Sequence, residues 1–570
     1  MCGIAGIWNE VDEATVARMT RIVAHRGPDG VCWTTRRNSS LGASRLAIFG
    51  DPTAPALFCD AETGLVVLLN GEIYNVHSLR SHLAAKGMRF NTDLETEVIA
   101  KLYAMHGTSF AKLLKGMFAI AILDENRLVL ARDKFGIKPL QYRRVGKKVV
   151  FGSEAKAILA HPEVAAELDP AVLHEIAVFG YVSSLDRTVF QGICQVEPGT
   201  VMTFTQEGES SLRYWRMPRS VYQEEGPQLD YDVAVSRLRQ IMIESVELLA
   251  THGGHPLGIY LSGGLDSTIL TLVAREILGH PVTTFTLADS SDSADLLAAR
   301  EVAAKLSTQH VERRVTLDEC LGGLRHFVEH YESVVAGGVF DVYGGLAFHL
   351  LSETVSQHVR VAFSGEGADE LFGGYYWVYT HPLGFADRIR SRLNSVGSRD
   401  QVARLVDDLF PYPEDERLYR RNAFNALMQG GLANYHLQSV DRSAGAFGFE
   451  IRPAYLFDDL AEFALSLPIE YKVPDKRTTK RILRDVFRPE LERLGLDRVL
   501  TRQKEGMPAA LHTLAPAITR MMQDSVEDTT FSEHPLRPFF VTKADQYLFN
   551  LFAEAFLPQM KHAPYSCVSQ

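Results

Sequence analysis

The chain has 570 residues, of which 59 are Lys or Arg and 70 are Asp or Glu, so its formal net charge is −11. At roughly 150 residues per domain, this length predicts more than one domain. A hydrophobic share of 46% with 23% charged residues excludes a disordered or fibrous chain. The acidic balance disfavours a nucleic-acid partner, because nucleic acids are bound by basic surfaces.

The sequence carries no signal for a membrane or for export. No apolar run approaches the roughly 18 residues that a membrane helix needs. The N-terminal residues lack a basic stretch and reach Glu10 early, unlike a signal peptide. The six cysteines show no CxxC or CxxH spacing, which predicts reduced thiols and no zinc site. We therefore expect a cytoplasmic protein.

The first part of the chain, residues 2–215, alternates short apolar runs with Gly, Asn and Asp. This pattern predicts strands, as at 64–71, 116–123 and 148–152, and a helix is predicted over 95–106. We interpret it as an α+β domain with antiparallel sheets. A Gln- and Glu-rich stretch then predicts a linker over residues 216–230.

Beyond the linker, strands alternate with helices, which predicts a parallel sheet covered by helices on its faces. Strands are predicted at 256–261, 282–287 and 359–363, and a helix over 267–278 follows the first of them. The pattern becomes mostly helical towards the C-terminal end. We interpret residues 231–560 as an α/β domain with a largely helical C-terminal part.

Cys2 is a candidate nucleophile, because a small second residue permits removal of Met1. The α-amine of an N-terminal cysteine, with a pKa of about 7.7–8.0, could then act as general base for its own thiol. A thiolate that attacks an amide also needs donors for the oxyanion, and Asn70 and Gly71 offer them at a strand end. Spacing alone does not establish that pairing. The alternative is that Cys2 is simply a small buried residue.

Four blocks of the first domain resemble class II glutamine amidotransferases, whose nucleophile is N-terminal. They are MCGIAG at 1–6, HRGPDG at 25–30, NGEIYN at 70–75 and ARDKFGIKPL at 131–140. The resemblance implies the family's layered antiparallel sheets with helices. It also implies that Cys2 attacks the side-chain amide of glutamine, forms a thioester and releases ammonia. Asn70 and Gly71 would form the oxyanion hole.

The same resemblance implies a set of glutamine-binding residues. Arg45 matches the arginine that holds the α-carboxylate, a bidentate task suited to a guanidinium. Glu72 would contact the ammonium. Where the family usually has an aspartate that also binds the ammonium, this chain has Glu95, whose extra methylene alters a tight pocket. Arg26 and Asp29 are expected to be structural.

Two loops of the second domain carry candidate ligands for a nucleotide. The loop LSGGLDST at 261–268 joins a strand to a helix, and its backbone amides suit a phosphate. It lacks the lysine and the spacing of a Walker A loop. Asp266 beside it predicts Mg²⁺ bound to pyrophosphate. The acidic loop at 364–375 follows another strand, so both loops are expected to face one crevice at the carboxyl ends of the strands. The alternative for this loop is a solvated acidic turn.

These loops resemble the ATP-pyrophosphatase motifs of glutamine-hydrolysing asparagine synthetases. Further matching segments are 441–443, 450–452, 479–484 and 502–506. The residues implied to hold the pyrophosphate of ATP are Ser262, Gly263, Gly264, Asp266 and Ser267. Those implied to line the nucleoside are Leu261, Leu287, Ser364 and Gly365. Asp266 and Asp369 would bind Mg²⁺. Glu366 would lie near the reacting centre, and Lys504 would stabilise charge on an adenylate.

The resemblance as a whole implies a carbon–nitrogen ligase that uses glutamine, ATP and Mg²⁺. An acceptor carboxylate attacks the α-phosphate of ATP, pyrophosphate leaves, and ammonia passed from the first site displaces AMP. Aspartate to asparagine is the family reaction, and a homodimer and an internal ammonia passage are implied by the family alone.

Three alternatives stay open. The segments Glu332–Ser333 and 340–345 offer no arginine for an acceptor carboxylate, which favours a less polar acceptor in specialised metabolism. An adenylating cyclase similar to β-lactam synthetase is a second alternative, although such relatives have lost the nucleophilic cysteine. A degenerate binding or regulatory protein is the third.

Overall fold

The computed structural model describes residues 1–217, 229–334, 342–376, 382–396, 403–404, 406, 427–475, 477–502, 506 and 510–557. Most of the predicted linker and Lys504 lie outside the described residues. In the described ranges, no helix combines the length and the apolar character needed to span a bilayer.

The first domain contains two six-stranded sheets, both antiparallel. In chain order the strands are β1 (Gly3–Trp8), β2 (Gly30–Arg36), β3 (Ser39–Arg45), β4 (Leu57–Cys59), β5 (Val66–Ile73), β6 (Gly116–Asp124), β7 (Arg127–Arg132), β8 (Gln141–Val145), β9 (Lys148–Gly152), β10 (Cys194–Gln195), β11 (Thr200–Phe204) and β12 (Glu209–Arg213). One sheet has the order β10-β8-β9-β1-β3-β2 and the other β12-β11-β7-β6-β5-β4.

The two sheets pack face to face, and helices cover their outer faces. Alternation along β6 shows why: Ala119 and Ala121 join the core between the sheets, whereas Ile120 and Ile122 pack under the helices. The helices of this domain are α1 (Glu13–Ile22), α2 (Val76–Ala85), α3 (Glu95–His106), α4 (Ala155–Leu159) and α5 (Pro170–Phe179), with 3₁₀ turns at Ala24–Arg26 and Gly107–Leu113. The predicted helix over 95–106 has those bounds.

The second domain is built on a five-stranded parallel sheet of order β15-β14-β13-β16-β17. Its strands are β13 (Leu257–Tyr260), β14 (Val282–Ala288), β15 (Gln309–Arg314), β16 (Val361–Ser364) and β17 (Glu450–Pro453). Both faces of this sheet are buried, since the β13 neighbours Ile259 and Tyr260 belong to different core clusters. The predicted α+β domain followed by an α/β domain is confirmed.

Helices surround this sheet and make up most of the C-terminal part. They are α6 (Tyr231–Thr251), α7 (Leu265–Thr271), α8 (Ala294–Lys305), α9 (Leu317–Tyr331), α10 (Val342–Ser356), α11 (Ala368–Phe372), α12 (Pro382–Val396), α13 (Gln438–Ala446), α14 (Asp458–Ser466), α15 (Ile469–Lys472), α16 (Arg481–Val486), α17 (Arg488–Arg493), α18 (Asp497–Thr501), α19 (Ala515–Asp524), α20 (Asp528–Ser532) and α21 (Lys543–Phe556). Segments Leu272–Ile277 and Leu427–Leu437 are π-helical, and Ala454–Leu456 and Arg537–Phe539 are 3₁₀ turns.

Two strands of this sheet have no counterpart among the strands predicted from the sequence. β15 is an edge strand of sequence QHVERR, and its polar side chains hide the strand pattern. β17 has only four residues and ends at Pro453, which a strand tolerates at a sheet edge.

Candidate active sites

Cys2 lies directly before β1, at the start of the first domain. Its thiol Sγ is 3.9 Å from the carbonyl oxygen of Leu46. Burial raises the pKa of the Cys2 thiol, so the thiolate needs a base. Burial also lowers the pKa of the Met1 α-amine to about 6, which leaves the amine neutral at pH 7. This amine belongs to Met1, so it is not the α-amine that Cys2 would carry after removal of Met1.

Asn70 and Gly71 lie on β5, which contacts β1. The Asn70 side chain is fully buried, and neither its amide nitrogen nor its oxygen has a hydrogen-bond partner in the structure. A buried amide without a partner is costly, so such a group points to a ligand. Gly71 has a φ of 136°, and a Cβ there would lie 1.9 Å from the carbonyl oxygen of Met117. Only glycine fits this backbone.

Glu72 and Glu95 lie close together and share a third partner. The backbone N–H of Ile73 donates to Glu95 Oε1 at 2.6 Å. His252 of the second domain places Nε2 2.8 Å from Glu72 Oε2 and 3.5 Å from Glu95 Oε1. The two carboxylates predicted to bind an ammonium therefore both contact the imidazole of His252.

Arg45 ends β3 and is almost completely buried. Its Nη1 donates to the carbonyl oxygens of Asp51 and Ala54 at 2.6 Å each, and its Nη2 to that of Phe49 at 3.1 Å. These bonds anchor the loop that follows β3 around the guanidinium. The next residue, Leu46, is the one whose carbonyl oxygen contacts the Cys2 thiol.

In the second domain, the glycine-rich loop connects β13 to α7 at the carboxyl end of the sheet. Gly263 has a φ of 68°, and a Cβ there would lie 2.5 Å from Ala298. The side-chain oxygen of Ser262 accepts the N–H of Gly264 at 3.3 Å and lies 3.3 Å from Ser267 Oγ. The loop is thus held in one tight conformation.

Lys480 connects the two acidic positions predicted to bind a metal. Its Nζ lies 2.6 Å from both carboxylate oxygens of Asp266 and 2.6 Å from Asp369 Oδ1. Two carboxylates that converge on one cation are hard oxygen donors, the ligands that Mg²⁺ prefers. The donor set therefore fits Mg²⁺, in a place that Lys480 Nζ takes in this structure.

Both loops of the second domain line one cavity of about 300 Å³. The predicted residues that line it are Leu261, Ser262, Asp266, Ser267, Leu287, Ser364, Gly365, Glu366 and Asp369. Lys504 lies outside the described residues, but its neighbour Gly506 contributes to the same wall. On the far side of the cavity, the Tyr375 hydroxyl donates to Glu370 Oε1 at 2.5 Å and lies 3.0 Å from His436 Nε2.

Helix α13 extends from the first site to this cavity. A Cβ on Gly445 would lie 2.8 Å from Arg26 Nη1 and 3.4 Å from the terminal methyl of Met1, the residue before Cys2. Ser439 and Val440, near the other end of α13, line the cavity. Five residues of helix span only about 8 Å, so one short helix contacts both sites.

Two of these residues escaped the sequence analysis. Lys480 lies in the quoted segment 479–484, but no role followed from the motif itself. His252 has no local signal, since only the fold brings it to carboxylates that precede it by more than 150 positions.

Comparisons with known proteins match two stretches of the chain to two families. Residues 1–215 match the glutamine amidotransferase domain family, and residues 237–563 match the asparagine synthase family. Asparagine synthetase [glutamine-hydrolyzing] 1 of Bacillus subtilis is 32% identical over 70% of this chain; the match spans 62% of that relative, less than two thirds of its length.

Asparagine synthetase [glutamine-hydrolyzing] 3 of Arabidopsis thaliana is 30% identical over 89% of this chain and 78% of its own length. Among solved structures, a glutamine phosphoribosylpyrophosphate amidotransferase from B. subtilis shares 21% identity over 51% of this chain and 67% of its own, with a TM-score of 0.29. The chain belongs to the asparagine synthase family of carbon–nitrogen ligases and carries a glutamine amidotransferase domain at its N-terminal end.

Proposed function

We propose that this chain is a glutamine-dependent amide ligase that converts aspartate to asparagine and ATP to AMP and pyrophosphate. The observation that carries the proposal is the pairing of two sites by α13. One site holds a buried thiol and an amide without a partner, and the other is an acidic cavity behind a glycine-rich loop. The names of both relatives, which couple asparagine synthesis to glutamine hydrolysis, support aspartate as the acceptor.

In the first site, Cys2 would be the nucleophile after removal of Met1. Its α-amine would accept the thiol proton, and Sγ would attack the side-chain amide carbon of glutamine. The Asn70 amide and the Gly71 N–H would stabilise the oxyanion, a contribution of roughly 100- to 1000-fold per donor. The tetrahedral intermediate would expel ammonia and leave a thioester, which water would hydrolyse to glutamate.

In the second site, the acceptor carboxylate would attack the α-phosphorus of ATP and displace pyrophosphate. The backbone of 262–264 and Ser267 would cradle the pyrophosphate, while Lys480 would neutralise its charge. Mg²⁺, held by Asp266 and Asp369, would supply further neutralisation of the phosphates. Ammonia would then attack the acyl carbon of the adenylate and release AMP. Glu366 and Lys504 are the residues proposed to act at this reacting centre.

Ammonia must pass between the sites without leaving the protein, because in water at neutral pH it becomes unreactive ammonium. Met1 is 1% exposed and packs beside Gly445 of α13. Removal of Met1 would vacate space between Cys2 and this helix, which supports a passage along α13 toward the cavity. That the protein is cytoplasmic and that it forms a homodimer are still predictions from the sequence.

Transfer of the isotope from glutamine labelled with ¹⁵N in its side-chain amide tests this function. With ATP, Mg²⁺ and aspartate, we expect ¹⁵N-asparagine, AMP, pyrophosphate and glutamate in equal amounts. The same assay on a panel of carboxylic acids tests the acceptor. Pyrophosphate release with another acid but not with aspartate would contradict the proposed acceptor while keeping the ligase chemistry. Asparagine without AMP would contradict the adenylate.

A further inference from the structure

His252 lies within the first site although it belongs to the second domain. It directly follows α6, and its side chain is 2% exposed. Its Nε2 faces the carboxylates of Glu72 and Glu95 at 2.8 and 3.5 Å. No other cross-domain contact in the described ranges reaches this pair of acids so closely.

The surrounding side chains fix the orientation of the imidazole. The ring stacks on Phe49 with a centroid distance of 4.8 Å and an interplanar angle of 10°. Tyr74 packs against it edge to face at 5.1 Å. The backbone carbonyl of His252 accepts a hydrogen bond from Arg452 Nη1 at 3.1 Å. The ring is therefore clamped with Nε2 directed at the two acids.

Each carboxylate uses only one oxygen in this arrangement. Glu72 uses Oε2 for His252, and Glu95 uses Oε1 for the N–H of Ile73 and for His252. In the part of the chain that the structure describes, Glu72 Oε1 and Glu95 Oε2 have no hydrogen bond. Neither oxygen is among the fully buried atoms that lack a partner, so each keeps some exposed surface. One oxygen of each acid thus stays accessible to an external cation.

We propose that His252 is a positioning residue of the donor site, whose imidazolium holds Glu72 and Glu95 from one side so that their other oxygens bind the α-ammonium of the donor. The proposal rests on glutamine being the donor, as argued above. Charge balance favours this arrangement, because two buried carboxylates then face two cations, the imidazolium and the ammonium of the bound donor.

The charges around His252 explain why the acids need it. Burial, with the charges of Glu450 and Glu95, raises the pKa of Glu72, and the hydrogen bond and charge of His252 oppose that rise. Burial alone would lower the pKa of His252, but Glu72 and Glu95 outweigh it and raise this pKa to about 9. The imidazole is therefore charged at neutral pH and opposes protonation of Glu72.

The other charged or titratable groups beside this cluster are Arg452, Glu450, the Tyr74 hydroxyl and the Cys2 thiol. Arg452 Nε pairs with Glu450 Oε1 at 2.8 Å, and burial keeps the pKa of the Tyr74 hydroxyl far above its usual value. Among the cations of the described residues, His252 is the one in direct contact with both acids.

The test compares two donors in the variant His252→Gln. Glutaramate keeps the amide and the carboxylate of glutamine but lacks the ammonium. At pH 7 we expect the variant to raise KM for glutamine about 10- to 100-fold, the value of one charge-assisted contact, with kcat little changed. The kcat/KM for glutaramate should change less than about 3-fold.

His280→Gln is the matched control. His280 forms a half-exposed pair with Glu247 at 2.7 Å, away from Glu72, and its loss should leave both donors unaffected. An unchanged or lower KM for glutamine in His252→Gln would overturn the proposal, and so would equal losses with both donors. If the wild-type protein hydrolyses neither donor, glutamine is the wrong donor, which contradicts the proposed function and not the cluster itself.

A second measurement tests the cluster without any donor. Histidine hydrogen–deuterium exchange followed by mass spectrometry gives the pKa of individual imidazoles in the full chain. We expect the pKa of His252 to fall in Glu95→Gln and that of His280 to stay unchanged. An unchanged His252 pKa would overturn the proposed ion cluster whatever the donor.

Discussion

Arg26 Nη2 lies 2.8 Å from Asp441 Oδ2, in an ion pair that joins the two domains and is excluded from water. The same guanidinium bonds Glu154 Oε1 of its own domain at 2.9 Å, and its Nε donates to the carbonyl oxygen of Cys2 at 3.0 Å. Lys138 also approaches Asp441, at 3.4 Å. The arginine thus ties the backbone of Cys2 to the helix that borders the cavity of the second domain.

Replacing Asp441 by Asn should destabilise the domain interface strongly. The substitution leaves two buried cations without a full counter-charge, and breaking a buried pair costs about 3–5 kcal/mol. Asp459→Asn is the matched control: its pair with Lys115 also joins the domains, at 2.6 Å, but both side chains are nearly half exposed. Loss of an exposed pair costs about 1 kcal/mol or less. Urea unfolding should rank the two variants in this order, and equal midpoints would contradict the argument.

The same pair predicts an acid-sensitive interface. Burial acts to raise the pKa of Asp441, but Arg26 and Lys138 outweigh it and lower this pKa below its usual value. A carboxyl group with a lowered pKa in the folded state stabilises the protein above its ordinary pKa of about 4. That stabilisation is lost as the pH falls through the lowered value. The difference in urea midpoint between wild type and Asp441→Asn should therefore shrink below pH 4; a constant difference from pH 7 to pH 3 would contradict the shift.

Replacing Cys2 by Ala should separate the two chemistries. We expect glutamine-dependent synthesis to be abolished and ammonia-dependent synthesis to stay near the wild-type rate, because the thiol lies apart from the cavity that is proposed to bind ATP. Cys59→Ala, at an exposed cysteine on β4, is the control and should leave both activities intact. Pyrophosphate release with each nitrogen source measures the effect. Loss of both activities in Cys2→Ala would mean that Cys2 is structural.

Site residues can be predicted from the sequence where they lie close together in the chain. Cys2 and the Asn70–Gly71 pair lie in compact motifs, and the structure gives Asn70 an amide without a partner. Asp266 and Asp369 were likewise identified from their loops, and both reach the same cavity. Such motifs are recognisable in the sequence because a tight turn and the ligand-binding groups on it come from consecutive residues.

Residues that act across the fold gave no such signal. His252 follows a helix of the second domain, yet it faces acids of the first. Lys480 reaches Asp266 from a position more than 200 residues later. Periodicity and local composition do not encode such distances, because only the packing of the two domains creates them.

Lys480→Met should impair synthesis whatever the nitrogen source. The lysine lies 2.6 Å from Asp266 and from Asp369, where phosphate charge is proposed to bind. Loss of one such donor reduces a rate by roughly 100- to 1000-fold. Glutaminase activity measured without ATP should persist, since Cys2 lies in the other domain. The neighbouring Arg481→Gln is the control, because Arg481 is 45% exposed and lies over the Tyr231 ring instead of the cavity. A Lys480→Met variant with normal pyrophosphate release would contradict the role.

Gly445→Leu should block passage between the two sites, and because its Cβ would lie 2.8 Å from Arg26 Nη1 it should also weaken the Arg26–Asp441 pair. The new side chain would extend from α13 into the space beside Arg26 and Met1, which removal of Met1 would open. Ammonia released at Cys2 would then escape to solvent, so glutamate should accumulate in excess over asparagine, whereas the wild type should form them in equal amounts. Ammonia-dependent synthesis, which needs no passage from Cys2, should change little. Gly322→Leu is the control, because no neighbouring atom lies within 4 Å of a Cβ at that position. Equal amounts of glutamate and asparagine in Gly445→Leu would show that ammonia does not travel along α13.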